Sequence, residues 1–134
     1  MAVADGFTIG VGKGDAGTGN VEVTSKQETA FVTYAVGGFT FGVQKAEETT
    51  SNASNWETIQ YGASFNVSDN ISLGYGKRTV DIQDTTVDEE GSGFSISYTM
   101  GSISVAANVN KADDMKGSAG SDKETTEVAV SFAF

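Results

Sequence analysis

Cysteine, proline and histidine are all missing from the 134 residues. Without cysteine there is no disulfide framework and no thiolate nucleophile. Without histidine there is no imidazole base and no usual zinc site. Two of the commonest catalytic side chains are thus gone. The expectation is a protein that is not an enzyme, with no catalytic, cofactor-binding or metal-binding residues. Long hydrophobic runs are missing too: no stretch approaches the ~18 consecutive apolar residues of a transmembrane helix. The opening Met1-Ala2-Val3-Ala4-Asp5 lacks the basic and apolar regions of a signal peptide, so an exported protein of this sequence is expected to be written here in mature or truncated form. Positive charge is scarce, 8 basic residues against 18 acidic and a net charge of −10. Such a chain matches a phosphate backbone poorly, and no nucleic-acid partner is expected.

What is present is alternation with a period of two. At the end of the chain Val128, Val130, Phe132 and Phe134 share one face, with Ala129, Ser131 and Ala133 on the other. Ile103, Val105, Ala107 and Val109 oppose Ser104, Ala106, Asn108 and Asn110. Phe94, Ile96, Tyr98 and Met100 oppose Ser95, Ser97 and Thr99. Upstream, the same rule gives apolar sets Ile71-Leu73-Tyr75, Ile59-Tyr61-Ala63-Phe65-Val67, Phe39-Phe41-Val43 and Phe7-Ile9-Val11. In 29–37 the better apolar set is Val32, Tyr34 and Val36, which turns Phe31 to the other face. Eight segments keep the strand period and none shows a helical stripe. The mean hydropathy of −0.19 is no argument against a membrane, because transmembrane strands alternate and average low.

Two kinds of connection alternate. Gly37-Gly38, Asp69-Asn70 and Gly101-Ser102 read as tight hairpin turns. Between them, 14–28, 46–57, 78–91 and 111–125 read as long polar loops rich in Gly, Ser, Thr, Asn and acid. The spacing is 32 residues from 38 to 70, 31 from 70 to 101 and 33 from 101 to 134. One unit of strand, long loop, strand and turn thus recurs four times over a single domain, 1–134. Of the 26 charged residues only Asp5 and Asp69 fall at the short-turn end. Each strand keeps a run of about seven to nine residues almost free of charge, close to the ~9–11 that cross a bilayer when tilted.

A soluble antiparallel sandwich also alternates, but its polar face meets water and carries Lys, Glu, Arg and Thr along the strand middles. Here the second face is Gly, Ser, Ala, Thr, Asn and Gln. The apolar face is rich in aromatics toward the short turns, with Trp56, Tyr61 and Tyr75 toward the loops, as two interfacial girdles would require. The favoured reading is all-β, an antiparallel up-and-down transmembrane β-barrel sheet of eight strands, with short periplasmic turns, long external loops and the lipid bilayer as partner.

The final stretch Glu127-Val-Ala-Val-Ser-Phe-Ala-Phe134 resembles the terminal strand of Gram-negative outer-membrane proteins, with an aromatic last residue and apolar residues at every second position before it. Units such as Phe94-Ser-Ile-Ser-Tyr-Thr-Met-Gly-Ser-Ile-Ser-Val105 are similar to general porins of the alphaproteobacterial kind. The resemblance covers the whole chain in pattern, while only the last strand is a specific motif. It implies the bacterial outer membrane as location, and Val128, Val130, Phe132 and Phe134 as an assembly signal for the outer-membrane assembly machinery. It also implies passive diffusion of small polar solutes and ions through a lumen. Those porins are sixteen-stranded barrels of roughly twice this length. This sequence would match their C-terminal half, and their constriction loop has no evident counterpart here.

An eight-stranded barrel is filled by its own side chains. The second face, with Gly10, Gly12, Gly42, Gly62, Gly74, Gly76, Ala106 and Ala129, is too small for that and suits a wide wet lumen. The sheet is therefore read as half of a larger barrel, completed by a homo-oligomeric partner or by an N-terminal half. The alternative is a small self-closed barrel whose loops carry a structural or adhesive function without conductance. A third reading is a soluble sandwich acting as a binding module. The residues expected to line a pore are Gln44, Gln60, Asn66, Arg78, Asn108, Asn110 and Glu127, with Lys13, Lys77 and Lys111 as pore-mouth charges. If the lumen conducts, the acidic loops favour cations.

Other motifs carry less. Gly10-Val-Gly12-Lys13-Gly14-Asp15-Ala16-Gly17-Thr18-Gly19 has neither the spacing of a phosphate loop nor a following helix. The acidic runs at 81–90 and Asp113-Asp114 miss the EF-hand spacing and read as solvated loop charge. The triplets Asn52-Ala-Ser54, Asn66-Val-Ser68 and Asn70-Ile-Ser72 match a glycosylation acceptor in form only, in a context that looks bacterial.

Overall fold

The computed structural model describes residues 2–17, 24–51 and 55–133. It is one antiparallel sheet in strict sequence order. A three-residue strand β1 (Ala2–Ala4) is followed by β2 (Phe7–Gly17), β3 (Thr24–Val36), β4 (Phe39–Thr50), β5 (Trp56–Ser68), β6 (Ile71–Ile82), β7 (Glu89–Met100), β8 (Ile103–Asp113) and β9 (Lys123–Phe132). The eight expected strands are present, and β1 is added through a turn at Asp5-Gly6. The three hairpin turns lie where the glycine and Asp-Asn pairs place them. At the first, Gly37 has φ 56°, a left-handed conformation that a side chain at this position would resist. Phe134 lies outside the described residues, as do the triplet at 52–54 and the middle of the first long loop.

The long connections are shorter than their composition suggests. The strands run on to Gly17, Thr50, Ile82 and Asp113 and resume at Thr24, Trp56, Glu89 and Lys123. The expected loops 14–28, 46–57, 78–91 and 111–125 are thus largely strand. The apolar period stops where charge begins, but the backbone ladder does not. It is carried upward by cross-strand pairs such as Lys13↔Glu28 and Gln44↔Gln60, where opposite charges and amides replace apolar contacts; the like pair Glu47↔Glu57 is bridged by Lys45.

Register separates the two faces. Val11↔Ala30, Val32↔Val43, Phe39↔Phe65, Leu73↔Ile96 and Val105↔Val130 pair on one side. Phe39 and Phe65 stack with ring centroids 4.0 Å apart, an arrangement that adds about 0.5–1.5 kcal/mol beyond area burial. Thr33↔Gly42, Gly62↔Gly76, Gly74↔Ser95 and Ala106↔Ala129 pair on the other. Phe31 does face away from Val32: it stands opposite Gly10 and Gln44, on the small polar side. Trp56 departs from its expected place. It pairs with Glu48 and Ile82 and belongs to the polar face, so the loop-end aromatics of the apolar face are Tyr61 and Tyr75.

No second layer covers either face among the described residues. Among those residues only Val80 and Ile82 are buried apolar side chains, while 22 large ones are exposed. Of these, Trp56 is the one whose register puts it on the polar side. The accessible surface is 9208 Å², whereas a globular monomer of 13.9 kDa exposes about 6,700 Å². The excess of roughly 2,500 Å² is in keeping with a single sheet uncovered on both faces.

The expected barrel is not closed. Strand pairing runs from β1 to β9 and stops, and β9 pairs with neither β1 nor β2 among the described residues. Eight strands with an inner face of Gly, Ser, Ala and Thr have too little side-chain volume to fill the narrow interior that closure would create.

Candidate functional site

The polar face is concave. One hollow of about 650 Å³ touches β3 through β9, from Phe31 to Thr125. A single hollow that touches seven neighbouring strands on one side fits a sheet that curls around that side. The small residues that make the inner face also permit the curl, and the large apolar residues stand on the convex side.

The hollow has a ring at one level, made by residues that are direct register partners. Gly10 stands opposite Phe31, Phe31 opposite Gln44, and Gln44 opposite Gln60. Gln60 then stands opposite Arg78, Arg78 opposite Gly91, Gly91 opposite Ala112, and Ala112 opposite Lys123. Gln60 donates through Nε2 to Gln44 Oε1 at 2.9 Å, and Gln44 Nε2 donates to Thr29 Oγ1 at 3.1 Å. The Phe31 ring lies flat over Gly10, where an added Cβ would sit 2.1 Å from ring carbon Cε1. Glycine is required here for close approach, so this glycine marks an occupied space and not an empty lumen.

At the loop end of the same face, one connection folds inward. The segment 114–122 contains a single 3₁₀ turn, Met115–Gly117. The Lys116 amide donates to Glu89 Oε2 at 3.0 Å, and Gly117 packs against Thr85. Glu89 also pairs with Arg78, so this carboxylate joins β6, β7 and the folded loop. Val80 and Ile82 lie on this same face beside Glu89 and Trp56, which explains why, among the described residues, they are the buried apolar ones.

The residues expected to line a pore do lie on the polar side by register, but at different heights. Gln44, Gln60 and Arg78 belong to the ring. Asn110 faces Gly93 and donates to Asn108 Oδ1 at 2.8 Å; Asn108 stands opposite Glu127. Asn66 is far below, opposite Ser72, with its backbone amide bound to Gly38 O at the short-turn end. Lys13, Lys77 and Lys111 follow the parity of the apolar face. Each is ion-paired there: Lys13 with Glu28 at 2.6 Å, Lys77 with Glu90 at 2.9 Å and Lys111 with Asp113 at 2.8 Å. Lys45 joins them, bridging Glu47 and Glu57. These charges fence the upper border of the apolar band; Lys77 and Lys111 also border the hollow, while their ammonium groups are held by the carboxylates they pair with. Val128, Val130 and Phe132 stand in a row on the apolar face of β9, at 69%, 54% and 58% exposure.

Lys123 lies in the stretch 111–125 whose composition reads as loop, while the structure makes it the first residue of β9. Counting back in twos from Glu127 through Thr125 would have found it. No group of metal-binding side chains is present among the described residues, and none of their helices is long and apolar enough to cross a membrane. Compared with known proteins, the chain matches no family model, no curated protein and no solved structure.

Proposed function

We propose that this chain forms porin-like wall in a Gram-negative outer membrane, a non-enzymatic channel for passive diffusion of small polar solutes and ions. The observation that carries the reading is the inverted sheet: large apolar side chains on the convex side, small polar ones in the hollow. A soluble curved sheet does the reverse and hides its apolar side. Seven to nine uncharged residues at ~3.4 Å each extend about 24–31 Å, or about 18–24 Å at a ~40° tilt, against an apolar band ~25 Å tall. Tyr61, Tyr75 and the paired lysines at the upper border suit an interface where aromatic rings and long cationic stems bridge lipid and water.

In lipid the open edges must be satisfied, because unpaired backbone groups there cost several kcal/mol each. Further strands therefore complete the wall, from a second copy or another segment, delivered by the outer-membrane assembly machinery that reads the β9 pattern. The test is to refold the chain in detergent and in water. The expected outcome is a folded, heat-modifiable species only with detergent, a particle mass above that of one chain, and stepwise conductance in planar bilayers. A folded monomer without conductance would overturn the pore, and a folded water-soluble monomer would overturn the membrane reading altogether.

A further inference from the structure

We propose that the stretch of the polar face between Arg78 and Lys123 binds the anionic group of a small solute, a carboxylate or a phosphate. The inference rests on the porin-like reading for its biological meaning, since it names the class of solute that the hollow would hold. Arg78 and Lys123 occupy the same register row, separated only by Gly91 and Ala112. The floor between the two cations therefore carries no side chain larger than a methyl group. The guanidinium leans toward that clearing: a Cβ at Gly91 would lie 3.7 Å from Arg78 Nε.

Charge balance points the same way. Arg78 and Lys123 border the hollow together with Lys77 and Lys111, whose ammonium groups are paired with Glu90 and Asp113, and no carboxylate is among its lining residues. Glu89 pairs with the Arg78 Nη2 group and leaves most of the five guanidinium donors to other acceptors. Lys123 has no ion-pair partner among the described residues, whereas Lys13, Lys45, Lys77 and Lys111 on the opposite face are all paired. A concave, low-dielectric wall concentrates the field of these two groups where a flat surface would disperse it. Gln44 and Gln60, continuing the row past Arg78, offer donors and acceptors to the uncharged part of the solute. The sign is opposite to what the acidic loops alone would favour, because Lys13, Lys45, Lys77 and Lys111 neutralise the acids they pair with and the remaining acids of the loops stand off the row.

The test is a titration of the folded, detergent-solubilised chain with inorganic phosphate, followed by the amide signals of Gly91 and Ala112. Saturable shifts at both are expected. Lys123→Gln should weaken the apparent affinity by at least about tenfold, since a charge-assisted contact is lost. Lys111→Gln, on the opposite face, and Glu127→Gln, off the row, should leave it unweakened. Unmoved Gly91 and Ala112 signals, or equal affinity in Lys123→Gln, would overturn the site. Lys123 is exposed at the start of β9, and unchanged strand content in the variant would show that the loss is not unfolding. Since the titration needs no conductance, binding without channels would sink the pore and leave the site standing. Channels without binding would do the opposite.

Discussion

The two faces of this sheet are built from the same strands, yet they solve different problems. The convex face is uniform: apolar at every second position, aromatic toward its lower border, and crossed by one line of ion pairs above. The concave face varies with height. It has Asn66 and hydroxyl pairs such as Ser72 with Ser97 near the short turns, glycines in the middle, and an amide and guanidinium ring above them. At the top a small apolar patch of Val80 and Ile82 lies beside the inward-folded loop. This is the difference that the proposed porin-like wall would require: a face toward a structureless solvent needs only composition, whereas a face toward solutes needs particular residues at particular heights.

The comparison breaks first if charge is tolerated equally on both sides. Ile96 and Ser95 are neighbours in sequence on opposite faces of β7. Ile96→Arg should destabilise the lipid-inserted protein by about 2–4 kcal/mol, the cost of arginine at mid-depth on a lipid-facing wall. Ser95→Arg should cost about 1 kcal/mol or less, since a lumen-facing cation stays hydrated. Urea unfolding from lipid vesicles measures both, and equal costs would show that the convex face does not meet lipid.

Next is the apolar patch on the concave face. Ile82 is 7% exposed, and Ile82→Ala should cost about 2 kcal/mol, the lower part of the range for such truncations. The same change at Ile103, 39% exposed and on the convex side, should cost less in detergent, where the micelle fills the space left. The ring supplies a third test. Gly10→Ala forces a methyl group into the Phe31 ring, and overpacking of this kind costs about 1–3 kcal/mol. The double change with Phe31→Ala should recover most of that loss, which a thermodynamic cycle reads directly.

How much of this was legible beforehand differs between the faces for a physical reason. The convex face follows from the period of two, since a one-residue slip would move every apolar side chain to the wrong side. The strands, the three tight turns and the exceptional orientation of Phe31 all follow from it. The period is silent once both faces turn polar, so the upper third of each strand read as loop, Lys123 went unnoticed and Trp56 was placed on the wrong side. Lys13, Lys77 and Lys111 were recognised as rim charges, but their face depends on parity through residues with no apolar contrast. The inner glycines were misleading in another way: sequence shows the missing side chain at Gly10, while only the fold shows that Phe31 fills the space.

The smallest expected effect concerns the line of ion pairs, and it bears on what that line does. Lys45 bridges Glu47 at 2.6 Å and Glu57 at 2.9 Å, with its side chain 48% exposed. Exposed pairs of this kind contribute little, so Lys45→Gln should lower stability only slightly even in low salt. The difference should shrink further as salt screens the pair. A larger, salt-independent loss would mean that the pair is desolvated and part of the wall's stability. The expected small loss leaves the fence another task, one that follows from its position. On the membrane reading proposed above, a row of paired charges directly above the last apolar residues would make it costly to slide any strand one step deeper into lipid, and would so hold the height of the sheet.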